Sequence, residues 1–384
     1  MKATAGSEKE NGARRRRAKR GKIRYAVVGL GHIAQAAVLP AFANAKRNST
    51  LAALVSDDPT KLRELGERYG VQHTYTYDEY DACLQSGEID AIYIALPNHL
   101  HCEYAVRAAE HGIHVLCEKP MALTEDECQK MIHAAEASSV RLMIAYRLHF
   151  EAANLRAIEI AESGQLGDLR IFQSLFTLNV KEGNVRLESE LGGGTLWDIG
   201  VYCVNAARYL FRDEPIEVFA FSANNGEQRF SEVDEMTGAM LRFPNERLAS
   251  FVTNFGVAEI SSYRVVGTKG DLLVEPAYDY AGKLVHKLTV EGQTTKKSFS
   301  PRDQFGPELI YFSDCVKQER NPEPSGLEGL ADVRIVEALY KSATIGQPVP
   351  LERLEKAERP SLAQEIHEPP IQEPELVHVE EPQA

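Results

Sequence analysis

Residues 23–34 read Ile23-Arg24-Tyr25-Ala26-Val27-Val28-Gly29-Leu30-Gly31-His32-Ile33-Ala34, and this stretch decides the fold. A strand-like apolar run enters a Gly-x-Gly-x-x-Ala loop and passes straight into a helical pattern. In that setting each loop residue has a task. Gly29 allows the tight turn, Gly31 lets the backbone approach a pyrophosphate, and Ala34 keeps the helix close to the sheet. The helix-opening amides around His32 and Ile33 then face the anion.

Working outward, apolar runs at Tyr25–Leu30, Leu51–Ser56, Ala91–Pro97, Ile113–Glu118 and Arg141–Arg147 alternate with helical patterns, the rhythm of a parallel sheet. Thr124 with Glu127 three residues on predicts a capping box. In such sheets an acidic residue after the second strand binds the ribose 2′-hydroxyl and repels a 2′-phosphate. Here the run ends in Ser56, with Lys61 on the next helix, while Asp57 and Asp58 either oppose a phosphate or merely cap that helix. NADP is the expectation, with NAD as the alternative.

The carboxyl edge of this sheet, where ligands bind, carries Pro97-Asn98 with His101 one turn on, Glu118-Lys119-Pro120, and Arg147 with His149. After Phe150 the pattern changes. Helical stretches at Ala152–Ser163 and Leu196–Phe211 precede two-fold runs at Ile216–Ala223, Thr237–Phe243, Leu248–Phe255, Tyr263–Val266, Leu272–Glu275 and Leu284–Val290. Strands this close together pair largely antiparallel. Helical periodicity returns at Glu308–Lys317 and Leu327–Ala343. The fold class is therefore an α/β Rossmann domain (23–147) followed by an α+β domain (148–351) with a mostly antiparallel sheet. Within it, Gly192-Gly193-Gly194 opens a helix on which Asp198 and Tyr202, four apart, share a face. A tyrosine so placed can move a proton beside a cation such as Lys119. On spacing alone it reads better as a structural tyrosine on a buried helix, with Asp198 solvated.

The termini differ in charge. Residues 1–22 carry nine Lys/Arg against Glu8 and Glu10, and lack aromatic and branched aliphatic residues, so a solvated arm is expected. Residues 352–384 are rich in Pro and Glu and are expected to be a disordered acidic tail. Arg14–Arg17 before an apolar run has the outline of an export signal. That run is the first strand and glycine loop, however, so a cytoplasmic protein is expected. The net charge of -13 argues against nucleic acid as the main partner, and no apolar segment is long enough for a membrane span. The six cysteines show neither a Cys-x-x-Cys pair nor zinc-site spacing, so they read as reduced packing residues and no metal is expected.

Taken in order, Gly-Leu-Gly, Leu-Pro-Asn, Cys-Glu-Lys-Pro, Tyr-Arg-x-His and Gly-Gly-Gly-x-Leu-x-Asp-Ile-Gly-x-Tyr resemble the Gfo/Idh/MocA oxidoreductase family over Ile23 to Leu351. The resemblance implies that the sheet of the second domain is large and open, that a nicotinamide cofactor is bound with a sugar or sugar-like polyol held between it and that sheet, and that a dimer or tetramer is built through the sheet. It implies that Lys119 orients the sugar, Asp198 binds its hydroxyls and Tyr202 is the acid/base. Tyrosine rather than histidine at 202, with Ser56 and Lys61, matches the glucose-fructose oxidoreductase branch. Arg186 and His149 are implied substrate contacts, although Val185 stands where similar sequences carry tryptophan. A diol, xylose or anhydro-sugar dehydrogenase, or a catalytically silent regulatory protein, is the alternative on the same scaffold.

Overall fold

The computed structural model describes residues 21–356 and 358–379, so the basic arm lies outside the described residues except for Gly21 and Lys22. Six parallel strands form the first sheet: β1 (Ile23–Val28), β2 (Ser49–Val55), β3 (His73–Tyr75), β4 (Ala91–Ile94), β5 (His114–Glu118) and β6 (Leu142–Ala145). Their order is β3-β2-β1-β4-β5-β6. The order reverses between β1 and β4, which opens a ligand crevice at their carboxyl ends. The short β3 went unanticipated because His73-Thr74-Tyr75 is too brief and too polar to signal a strand.

Alternation along β1 serves both faces of the sheet. Ala26 and Val28 enter one core, while Tyr25 and Val27 enter the other. The helix Pro59–Tyr69 begins at the Asp58 side chain, which accepts from the Thr60 and Lys61 amides, and ends at Gly70 with φ +68. Thr124 caps the helix Glu125–Ala137 through the Glu127 amide. The Glu127 carboxylate reaches back to the Leu123 amide instead of to Thr124, so the expected box is shifted by one residue.

The second sheet has nine strands: β7 (Leu169–Asn179), β8 (Glu217–Ala223), β9 (Met236–Phe243), β10 (Arg247–Asn254), β11 (Gly256–Gly267), β12 (Gly270–Val274), β13 (Leu284–Val290), β14 (Gln293–Phe299) and β15 (Val349–Pro350). The order is β14-β13-β12-β11-β7-β10-β9-β8-β15. Every pair is antiparallel except β7 with β10. The central strand β7 was missed from sequence although Phe172, Ser174 and Phe176 alternate inward. One face packs on the helices Ala152–Glu162, Val201–Phe211 and Gly326–Ile345. The other leaves Ile171, Phe221, Met240, Leu248 and Val252 exposed.

Two expectations about organisation change. The helix Phe305–Gln318, expected within the second domain, returns to the first sheet, where Phe305, Leu309, Ile310 and Phe312 join Tyr25, Val27 and Tyr93 in one core. The segment after Leu351, expected to be disordered, runs over the body of the protein as a strap. It has almost no regular structure, but side chains of the body capture its carbonyls: Arg212 donates to Pro360, Asn44 to Pro369 and Arg68 to Glu375. Spaced apolar residues Leu362, Ile366, Ile371 and Val377 pack inward. Sparse anchors among prolines and glutamates carry no periodicity, which is why composition alone suggested disorder. Among the described residues no helix is long and apolar enough to cross a membrane.

Candidate active site

The glycine loop has the shape a pyrophosphate needs. Gly29 has φ +91, and a Cβ there would stand 2.6 Å from the Ala95 carbonyl oxygen. At Gly31 nothing lies within 4 Å of where a Cβ would project, so the backbone faces open space. The helix that follows opens with a π-helical segment, Ala34–Val38, before Leu39–Ala41. These residues fit a dinucleotide.

At the end of β2, Ser56 is buried and its Oγ accepts from the Asp58 amide at 3.3 Å. Both neighbouring acids have structural work: Asp57 accepts from the Tyr77 amide at 2.8 Å, and Asp58 caps the helix. Lys61 lies on the first turn of that helix.

Lys119 follows β5, and Asp198 lies in a π-helical segment, Leu196–Gly200, that leads into the helix Val201–Phe211 carrying Tyr202. Segments of this kind occur often at functional sites. Lys119 Nζ donates to the Asp198 carbonyl oxygen at 2.9 Å and to Oδ1 at 3.1 Å, while Arg186 Nε donates to Oδ2 at 2.6 Å. Lys119 Nζ lies 5.0 Å from the Tyr202 ring centroid, and the Arg147 guanidinium lies at the same distance. Among the described residues the Tyr202 hydroxyl takes no hydrogen bond.

The electrostatics assign protonation states. Burial opposes charge on Asp198, but Arg186 and Lys119 override it and hold the carboxyl well below the usual carboxylate range. Burial also opposes charge on Lys119, yet Asp198 and the other neighbouring acids leave its ammonium more strongly protonated than usual. Neither group can act as a base near neutrality. Asp198 is a fixed acceptor and Lys119 a fixed donor.

Gly192-Gly193-Gly194, which leads into the segment bearing Asp198, is a packed junction. A Cβ on Gly192 would stand 2.8 Å from Asn98 Cβ, and one on Gly193 2.5 Å from the Arg186 carbonyl oxygen. Asn98 Nδ2 donates to the Gly192 carbonyl at 2.8 Å, tying the crevice loop after Pro97 to the segment that leads into the helix carrying Tyr202.

Three expected contacts sit differently. His149 is fully buried, with Nε2 2.8 Å from Asn205 Oδ1 and its pKa pushed down to about 4 by desolvation. It belongs to the interior and not to the substrate surface. His101 is also fully buried; its ring nitrogens lie 2.8 Å from the Pro120 carbonyl and 2.9 Å from that of Leu96, so it holds two crevice loops in place instead of touching a cofactor. The Glu118 carboxylate accepts from the Tyr93 hydroxyl at 2.7 Å, beneath the sheet edge. Sequence reading missed Gln304, Tyr278 and Tyr280. Arg147 donates to Gln304 Oε1 at 2.5 Å and to the Tyr278 carbonyl, and lies 5.7 Å from the Tyr280 ring centroid. The one available signal was the aromatic pair Tyr278-Asp279-Tyr280 in a loop between strands.

Residues 23–146 match the family model described as an oxidoreductase family with an NAD-binding Rossmann fold, and residues 154–273 match the GFO/IDH/MocA C-terminal domain. The chain belongs to the Gfo/Idh/MocA oxidoreductases. Among relatives of known name, a D-xylose 1-dehydrogenase [NADP(+)] of Haloarcula marismortui is 31% identical over 86% of this chain and 93% of its own length. An aldose-aldose oxidoreductase of Caulobacter crescentus, solved with glycerol, superposes with a TM-score of 0.82 at 38% identity, covering 86% of this chain and all of that one. A 3-ketoreductase of Actinomadura kijaniata, solved with NADP and TDP-benzene, gives a TM-score of 0.77 at 25% identity, covering 84% and 98%. Lys119, at the end of β5, meets Asp198 of the second domain, whose other carboxylate oxygen is held by Arg186.

Proposed function

We propose that this chain is an NADP-preferring oxidoreductase of aldoses or closely related polyols. The observation that carries the reading is the convergence of Lys119, Arg186 and Asp198 beside the unbonded Tyr202 hydroxyl, at the mouth of the glycine-loop crevice. The relatives support it, being xylose and aldose oxidoreductases and a ketoreductase. Gly29, Gly31, His32, Ile33 and Ala34 would hold the pyrophosphate, Ser56 and Lys61 the 2′-phosphate, and Pro97, Asn98 and Arg147 would flank the nicotinamide. When bound, the nicotinamide accepts or returns a hydride at C4.

The chain's own residues do the rest. Asp198 accepts from a sugar hydroxyl with the oxygen edge left by its two cations. Lys119 stabilises negative charge developing on the reacting oxygen. Tyr202 takes that hydroxyl's proton during oxidation and returns it during reduction. A panel of aldoses, polyols and anhydro-sugars assayed with NADP and NAD tests the reading; the expected result is turnover on an aldose with NADP. Dinucleotide binding without turnover on any sugar would support the regulatory alternative instead.

The exposed apolar face of the second sheet fits the proposed homo-oligomer. Ile171, Phe221, Met240, Leu248 and Val252 are exposed apolar side chains on one face of the sheet, and a grouped apolar patch is a common mark of a protein–protein contact. Phe221→Asp should shift the mass measured by light scattering to that of one chain. The free cysteines fit a cytoplasmic setting.

A further inference from the structure

The strap after Leu351 ends its described path at the adenosine end of the crevice. Val377 exchanges two hydrogen bonds with the fully buried Gln35 of the glycine-loop helix: its amide donates to Oε1 at 2.8 Å, and its carbonyl accepts from Nε2 at 3.0 Å. The same Nε2 donates to the Leu30 carbonyl inside the glycine loop at 2.9 Å. The next residue, His378, has φ +47, a left-handed conformation that a non-glycine residue seldom adopts. Strain of this kind collects at functional positions. It brings His378 Nδ1 to 3.1 Å from Asp58 Oδ2.

Asp58 is one of the two acids after β2 that oppose a 2′-phosphate. Its Oδ1 is committed to the Thr60 and Lys61 amides, whereas its Oδ2 points to the strap. Ser56 Oγ, bonded to the Asp58 amide, belongs to the same cluster. The His378 ring remains largely exposed, so a ligand can reach it. The relatives are matched along nearly their whole length by only part of this chain, which leaves residues here that they do not share.

We propose that His378 is a cofactor-discriminating residue: the C-terminal strap delivers it to the end of β2, where it counters Asp58 and supplies, beside Ser56 and Lys61, a cation for the adenosine 2′-phosphate of NADP. This rests on the NADP reading above. Val377 fixes its position by locking the strap to the glycine-loop helix. An imidazolium against a phosphate makes a charge-assisted hydrogen bond that NAD cannot offer.

The test is fluorescence titration of NADPH and NADH on the full chain and on His378→Ala and His378→Arg. His378→Ala should weaken NADPH about tenfold, the size of such a bond, and leave NADH within about twofold; His378→Arg should restore the NADPH affinity. His378 is exposed, so both variants are expected to fold, and circular dichroism checks this. The parent's own NADPH-to-NADH ratio judges the NADP reading, and the change in that ratio between parent and His378→Ala judges His378. An unchanged ratio overturns the proposal, as does tighter NADPH binding in His378→Ala, which would mean that the strap obstructs the site.

Discussion

Lys119 and Asp198 are locked together across the seam between the two sheets, the ammonium donating both to the Asp198 carbonyl oxygen at 2.9 Å and to its Oδ1 at 3.1 Å. Lys119→Met keeps the stem and removes the charge. Turnover should fall by about 10²–10³, the usual cost of losing one donor aimed at developing charge, with cofactor affinity nearly unchanged. A second readout concerns acid stability. The folded-state pKa of Asp198 is depressed, so its contribution is present above the unfolded value and is lost as pH falls through the folded one. Without Lys119 the depression shrinks, and the acid-unfolding midpoint should move to higher pH.

Tyr202→Phe removes a hydroxyl and keeps the ring packed against Phe176 and Tyr278. A general acid/base typically contributes about 10²–10⁴-fold. Turnover should drop by that factor while NADP affinity, measured by fluorescence, stays within about twofold. Retention of turnover within about threefold would make the phenol structural.

Much of this site was legible in the sequence because its parts are local. The glycine loop, Lys119 at a strand end and the four-residue spacing of Asp198 and Tyr202 each follow from one element's geometry. What was not legible depends on which way a side chain turns or on long returns of the chain. His149 and Glu118 stand at the predicted edge but point into the interior. Gln35, inside an apolar helical pattern, finds two of its hydrogen bonds at Val377, 342 positions away. The return of Phe305–Gln318 to the first sheet is equally invisible to periodicity, which reports that a helix has a buried face and not what covers it.

Gly192→Ala should loosen the seam. Gly192 has φ +84, and a Cβ there would meet Asn98 Cβ at 2.8 Å and Leu123 Cδ2 at 2.9 Å. The left-handed backbone alone costs about 1–2 kcal/mol, and the clash adds to it. The melting temperature should fall by several degrees and KM for the sugar should rise, because the helix bearing Asp198 shifts away from Lys119. A melting temperature unchanged within a degree would show that the junction yields without cost.

The interior of the second domain holds a buried charge cluster whose balance sets a pH dependence. Arg208, fully buried, meets Glu214, Glu328 and Asp332, while Lys356 meets Glu323 and Glu328 and Arg359 meets Glu214. Four carboxylates thus face three cations, and a low-dielectric interior favours holding one further proton. Burial, with repulsion from Glu328, pushes Asp332 and Glu323 each up to about 7, whereas Arg208 and Lys356 hold Glu328 well below the usual range. A raised folded-state value on an acid means that the native state binds more protons than the unfolded chain between the two values, so stability falls as pH rises through that window. The melting temperature should therefore decline from about pH 5 to about pH 8 through this cluster. Asp332→Asn keeps an acceptor for Arg208 and removes the surplus charge, so its decline over the same range should be shallower than the parent's even if its absolute stability is lower. Calorimetry at half-unit steps of pH measures both slopes, and a parent slope that the variant reproduces would place the proton elsewhere.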